Sequence, residues 1–506
     1  MSTFSGLFIP VELVYSILDL LPSQSDLASI CRVSKEFHSV VSPRLYQSPV
    51  VDCGIYINAR NAAVWPFLRT VVRRSELGAC VKKACFSEHY YEWTYYKMEK
   101  ETPDIGSEDL ELTGTLIVDA NLPNPQDWIQ AVKDGDPDAL IALALCRLSN
   151  IEVFEASINS SRQRTFIGII FEHALNSIRS FPTCFPSLSN IREISVSPKG
   201  VFTPLEDAYP LFKIPNLQQV EIKIREVSEW YALHAREISD KSGPNWVWSP
   251  FRWPQPNVEF PTIKTLILRQ SHLSVTAMRI LLAALPNLQE LDYDFWGKGT
   301  MDYYEPDEAK YPGWLIFGCS PNQRLNFSDG FQPLQDQLEV LRISATVGTG
   351  TDDFFDPPPA SESSVSTLRQ LKALRILSVP LSILLGWDPL AGGTLTQILP
   401  PNLEDLEITD TFCDNWDYYW LPQDILPRIC DYLTSSSATK LKRLSLGRHS
   451  NGHGWREGWR DNDIFDPVRQ LCGERGISFI YDLSCHCDEP TKCKSASLYV
   501  EDLLEH

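Results

Sequence analysis

The chain has 506 residues, 43% hydrophobic and 11% aromatic, which is ample material for a core and excludes wholesale disorder. Its 45 Lys and Arg against 65 Asp and Glu leave a formal charge of −20, a field that repels a phosphate backbone and argues against nucleic acid as the main partner. The longest uninterrupted apolar run, 139–146, falls far short of the roughly 20 residues of a membrane span, so no membrane role is expected.

The first basic residue is Arg32, and the apolar stretch 7–21 holds Pro10, Glu12 and Asp19, so no secretory leader is expected. Thirteen cysteines, an odd number scattered mostly singly, suit a reducing compartment. These features predict a soluble intracellular protein, cytoplasmic or nuclear.

Residues 7–49 read as three short helices. Pro10 suits a first helical position, and Leu13, Ile17, Leu20 and Leu21 follow at helical spacing until Pro22. Ser25 is the expected cap of a second helix with Leu27, Ile30 and Cys31 on one face. Ser34 is the expected cap of a third, with Phe37, Val40 and Val41 inward and Pro43 as its end. A piece this small needs a partner or a neighbouring domain for stability.

The ordered residues Ile9-Pro10-Val11-Glu12-Leu13, Ile17-Leu18, Asp26-Leu27, Cys31-Arg32-Val33-Ser34-Lys35, Phe37 and Pro43-Arg44-Leu45-Tyr46 resemble the F-box, with Ile9 where the family usually has Leu. The resemblance covers about the first tenth of the chain. It implies docking onto the Skp adaptor, and through it a cullin, of an SCF-type ubiquitin ligase. The positions matching the family's adaptor-contacting face are Pro10, Glu12, Leu13, Leu27, Cys31, Val33 and Phe37. Leu18, Leu45 and Tyr46 are divided between that interface and the internal core.

Downstream, one template recurs with apolar residues at i, i+3 and i+5. It is clearest at 191–196 (IREISV), 217–222 (LQQVEI), 263–268 (IKTLIL), 288–293 (LQELDY), 338–343 (LEVLRI), 374–379 (LRILSV), 403–408 (LEDLEI) and 441–446 (LKRLSL). Weaker copies lie at 81–86, 151–156 and 477–482. Positions i+3 and i+5 of a short strand point to one face, and i+2 and i+4 to the other. Pro-Asn-Leu recurs before the strands at 215–217, 286–288 and 401–403, and 274–284 (SVTAMRILLAA) predicts a return helix. This pattern resembles the leucine-rich repeat. The family's asparagine after the strand is missing; Ser271, Thr411 or His449 stands there.

Clear strand starts lie 25 to 50 residues apart, which predicts insertions at 225–260, 294–334, 344–367 and 447–476. The third is Asp/Pro/Ser-rich and the others carry tryptophans (Trp230, Trp246, Trp248, Trp253, Trp296, Trp314, Trp455 and Trp459). The aromatic stretch 88–97 (EHYYEWTYYK) has no assigned role.

The predicted fold class is α/β: a degenerate leucine-rich-repeat solenoid with an N-terminal all-α F-box module. The expected division is 1–49 F-box, 50–145 linker and N-terminal cap of the array, 146–484 solenoid with insertions, and 485–506 C-terminal tail.

No phosphate loop, nucleophile elbow or zinc-protease motif occurs, so no catalytic residue, cofactor or metal is expected. Cys485-His486-Cys487 with Cys493 is one residue too tightly spaced for ordinary paired zinc ligands, and His449 and His453 lie in a glycine-containing stretch. Of the sixteen outward positions on the eight strands, six are acidic and two basic. Glu193, Glu221, Ile267, Glu290, Asp292, Arg342, Asp405 and Glu407 are the candidate target-binding residues, for a target with a basic segment. The resemblances imply a non-catalytic substrate receptor of a ubiquitin ligase. A repeat scaffold without a ubiquitin role, or an enzyme sited around 294–334, are the other classes left open.

Overall fold

The computed structural model of the protein describes residues 10–21, 23–53, 63–87, 105–157, 166–177, 188–196, 203–225, 258–271, 273, 275–298, 330–348, 368–386, 389, 393–409, 420–447 and 462–482. The expectations that rest on Cys485, His486, Cys487, Cys493, His449, His453 and residues 88–97 lie outside them. So do all the insertion tryptophans except the backbone of Trp296. The chain divides into two compact units, 1–203 with 207–222, and 204–206 with 223–506.

The first unit opens with three helices, α1 (Val11–Asp19), α2 (Gln24–Cys31) and α3 (Lys35–Leu45). Ser34 caps α3 by accepting from Phe37 N at 3.2 Å, as its position predicts. The cap of α2 is Ser23, which accepts from Asp26 N at 3.2 Å; Ser25 lies inside the helix. Pro43 does not end α3. It sits in the last turn, where its ring removes a single bond and Tyr46 N still reaches the Ser42 carbonyl at 3.1 Å.

The chain then passes directly into a sheet of parallel strands: β1 (Val50–Asp52), β2 (Lys83–Ser87), β3 (Val153–Ser157), β4 (Glu193–Val196) and β5 (Gln219–Ile222). Between them run α4 (Val64–Arg73), α5 (Ser75–Gly78), α6 (Ser107–Asp119), α7 (Pro125–Lys133), α8 (Pro137–Leu145), α9 (Phe166–Ser177) and α10 (Leu205–Phe212). Residues 50–145, expected as linker and cap, thus contain two strands of the sheet. The apolar run 139–146 is α8 and its C-cap, buried all round as its uniform hydrophobicity requires. Phe67 of α4, Phe86 of β2, Phe154 of β3 and Phe171 of α9 form a file with centroids 5.8, 6.1 and 5.9 Å apart, the outer two pairs edge-to-face and the middle one tilted. The buried Asp138 carboxylate accepts from Phe166 N at 2.6 Å and Ile167 N at 3.3 Å, satisfying donors at the start of α9. At Gly78 a Cβ would stand 2.5 Å from the Arg147 carbonyl oxygen, so only glycine allows α5 this approach to the end of α8.

The second unit is a parallel sheet of β6 (Thr265–Ser271), β7 (Glu290–Lys298), β8 (Val340–Gly348), β9 (Ile376–Pro380), β10 (Asp405–Thr409), β11 (Arg443–Gly447) and β12 (Ser478–Asp482). Its helices are α11 (Val275–Ala283), α12 (Leu381–Leu385), α13 (Leu395–Ile398), α14 (Pro422–Thr434) and α15 (Asp466–Arg475). The predicted return helix 274–284 is α11. Template positions pair in register: Thr265, Glu290, Val340, Ile376, Asp405 and Arg443 form one cross-sheet row. In the eight clear copies every i, i+3 and i+5 side chain is buried, except the half-buried Val196. The template therefore marks the core.

One copy is displaced. Register places Phe479 and Tyr481, not Ile480 and Asp482, at the inward positions of β12, where both rings pack on Phe465. Ile477 instead closes α15: Gly476 turns left-handed at φ 69°, and Ile477 N returns to the Cys472 carbonyl at 2.8 Å. Among the described residues no helix is long and apolar enough to cross a membrane.

Candidate functional site

Helix α1 carries two lines of apolar side chains. Its inward line is Val14 and Leu18, which enclose Val41 of α3, with Leu21, Leu27, Ile30, Cys31, Phe37 and Val40 packed around them. The helix turns about 100° per residue, so the neighbouring line faces away. Leu13 and Ile17 are each 55% exposed and Leu20 is 82% exposed. Leu13, Ile17, Leu20 and Leu21 therefore do not share a face: only Leu21 turns to the core. Of the residues matched to an adaptor-contacting face, Pro10, Glu12, Leu13 and Val33 are exposed, while Leu27, Cys31 and Phe37 are half-buried against the module's own core. Ile17 and Leu20 join the exposed stripe though neither was in the set matched to the adaptor-contacting face; their i+4 and i+7 spacing from Leu13 was the available signal.

A cleft of about 850 Å³ opens in the first unit between this helical module and the turns that lead into the strands. Its floor is built by the repeat. Gln47, Lys82, Glu152, Arg192 and Gln218 occupy equivalent positions just before β1 to β5, and the first four carbonyls each accept from the next residue of the row. Lys82 N reaches Gln47 O at 2.9 Å, Glu152 N reaches Lys82 O at 2.7 Å, Arg192 N reaches Glu152 O at 2.8 Å, and Gln218 N reaches Arg192 O at 2.7 Å. The Lys82 ammonium stands 3.5 Å from the Glu152 carboxylate. Arg192 is exposed and forms no ion pair among the described residues. The helical wall supplies Tyr15, Val40, Pro43 and Arg44. The Arg44 guanidinium pairs with the Asp19 carboxylate and lies 5.1 Å from the Tyr15 ring centroid.

Asparagines stand one residue before the template in both units, and each staples its turn to the preceding one. Asn150, Asn190 and Asn216 donate through Nδ2 to the carbonyls of Ala79, Ser149 and Ser189 at 2.8, 3.3 and 2.6 Å. Asn287 and Asn402 repeat this in the second unit with Pro261 and Lys372 at 2.8 and 2.7 Å. The recurring Pro-Asn-Leu was legible as turn chemistry; the amide's cross-repeat bond was not.

The outward strand face differs from its sequence reading. Three of its six predicted acidic positions are matched by cations on adjacent strands. Glu290 pairs with Arg342, Asp292 with Arg269 at 3.1 Å, and Asp405 with Arg443 at 2.5 Å. In the first unit Lys83 pairs with Glu155 at 2.6 Å, and that bond holds the lysine above its ordinary value. Glu193 is exposed; Glu221, Ile267 and Glu407 are half-buried. Register places the outward Val340 and Ile376 side by side, between Glu290 and Asp405.

At the C-terminal end of β6 a bulge puts Gln270 at φ 41°. Gln270 Oε1 accepts from Lys223 Nζ at 2.8 Å and its N–H reaches Asp294 at 3.2 Å. Desolvation lowers Lys223, and Asp294 opposes that shift. Desolvation pushes the buried Cys146 up to about 12 and Cys472 up to about 11, which keeps both as neutral thiols at neutral pH. Among the described residues no group of His, Cys, Asp and Glu is placed to hold a metal ion. The chain matches no protein-family model and no curated protein.

Proposed function

We propose that this protein is a substrate receptor of an SCF-type ubiquitin ligase, its N-terminal helices acting as an F-box that docks on the Skp adaptor and its parallel repeat acting as a leucine-rich-repeat surface for a target. The observation that carries the reading is the stripe Leu13, Ile17 and Leu20, exposed on a three-helix module that also bears the ordered F-box residues. Apolar side chains left outside so small a core are stabilised by a partner that buries them. Pro10, Glu12 and Val33, also exposed, belong to the same interface. Leu27, Cys31 and Phe37 support it from within.

In this reading the chain catalyses nothing and raises the local concentration of its target beside the conjugating enzyme. The target lies on the outward strand face. A basic segment bound there competes with Arg269, Arg342 and Arg443 for the carboxylates they already hold. Screening by salt weakens whatever electrostatic attraction remains.

The test is co-expression with the Skp adaptor and size-exclusion chromatography of the full chain. Point variants are preferable to removing the module, because Gln24 bonds the Ser48 carbonyl and Lys82 N bonds that of Gln47. A one-to-one complex is expected, with affinity reduced about a hundredfold or more by Leu13→Asp with Ile17→Asp, at unchanged circular dichroism. A folded parent chain that forms no complex sinks the reading and leaves a repeat scaffold without a ubiquitin role.

A further inference from the structure

We propose that the cleft between the helical module and the strand-entry turns of the first unit binds an extended, polyproline-type segment of another protein that carries acidic side chains three residues apart. The charge of the lining points this way. In a chain of net charge −20 the cleft gathers Arg44, Lys82 and Arg192; Arg44 is held by Asp19 and Lys82 lies 3.5 Å from Glu152, so Arg192 is the cation left without an ion pair among the described residues. The same row in the second unit shows how the fold neutralises such positions. There Arg375 lies 2.9 Å from Glu404 and 3.9 Å from Glu339, and Lys442 lies 2.6 Å from Glu404. In the first unit the alternation stops: Arg192 is followed by the neutral Gln218, and the arginine is left exposed without a carboxylate among the described residues.

Spacing selects the ligand's form. Lys82 and Arg192 are two strands apart along the row, about 9.6 Å at the usual strand separation. A polyproline helix advances about 9.3 Å in one three-residue turn, which brings positions i and i+3 onto one face. A β-strand sets those positions on opposite faces. Such a segment has no internal hydrogen bonds, so its backbone needs outside partners. Asn150, Asn190 and Asn216 are already oriented by their Nδ2 bonds, and each keeps its Oδ1 to accept from a ligand N–H. Tyr15 and Pro43 give the flank an aromatic and a proline surface of the kind that polyproline segments use.

Tyr15 lies about 200° around α1 from Leu13, so an occupant of the exposed stripe leaves the cleft open. The proposal therefore stands whether or not the chain binds an adaptor.

The probe is a fluorescein-labelled peptide, Ser-Ser-Glu-Pro-Pro-Glu-Ser-Ser, titrated with the full chain by anisotropy at about 0.1 M salt. It should bind at least about tenfold tighter than its glutamine counterpart and than a peptide with adjacent glutamates. Arg192→Glu and Lys82→Gln should each weaken it about tenfold or more, and Leu13→Asp should not. Arg192→Gln replaces the reversal if that variant melts early. Equal binding of the glutamine peptide, or no binding at all, overturns the proposal. Equal binding of the adjacent-glutamate peptide overturns the spacing argument, and undiminished affinity in folded Arg192 variants overturns the placement. Displacement by an equal concentration of octathymidylate reassigns the cleft to nucleic acid.

Discussion

Leu13 and Val14 are adjacent, aliphatic and similar in size, yet one is 55% exposed and the other 6%. Composition treats them alike; the 100° step of the helix separates them. Charged residues separate in the same way. Glu404 lies between Arg375 and Lys442, whose hydrogen bonds hold its carboxyl down at about 2. A carboxylate depressed when folded contributes stability above its ordinary value of 4.5, and loses that contribution as pH falls towards about 2. Glu404→Gln should therefore lower the melting temperature slightly at neutral pH, and the gap should close below pH 4.5. Melting curves across that range check it; a gap independent of pH would mean that the two cations do not act through ionisation.

At the scale of the element, the strands were legible because burial repeats at fixed offsets: Leu291 and Tyr293, or Leu377 and Val379, are apolar since they face the core. Element ends were less legible. Ser23 and Ser25 are equally able caps by type; Ser23, with extended backbone, takes the role, and Ser25 lies inside the helix. Ile477 satisfied the strand pattern but serves the end of α15, because an apolar residue after a left-handed glycine packs back on its helix. The asparagine staples carry their own prediction. Asn216→Ala or Asn287→Ala should cost about 1 kcal/mol in urea unfolding, the net worth of one hydrogen bond. Aspartate at either position should cost more, since it offers no donor and sets a charge against the Ser189 or Pro261 carbonyl.

Across the whole molecule the excess of carboxylates sets the solution behaviour. Solubility at low ionic strength should reach a minimum near the sequence pI of about 4.9, where self-repulsion vanishes. Turbidity across pH 4–7 checks it; a minimum displaced above pH 6 would mean that many carboxyls are held protonated. The same average concealed local detail. It suggested an acidic strand face, whereas register brought Arg342, Arg269 and Arg443 beside the carboxylates they neutralise. It gave no sign of the cations gathered in the first unit's cleft.

Periodicity and ordered motifs were sufficient for the α/β class, the parallel copies and the helical N-terminus, because a position that must be buried has to be apolar in every copy. They could not bring Arg44, Lys82 and Arg192 to one cleft, or separate Leu13 from Val14. Those outcomes rest on contacts between residues tens to a hundred or more positions apart, formed only when repeat stacks on repeat and α3 runs on into the first strand.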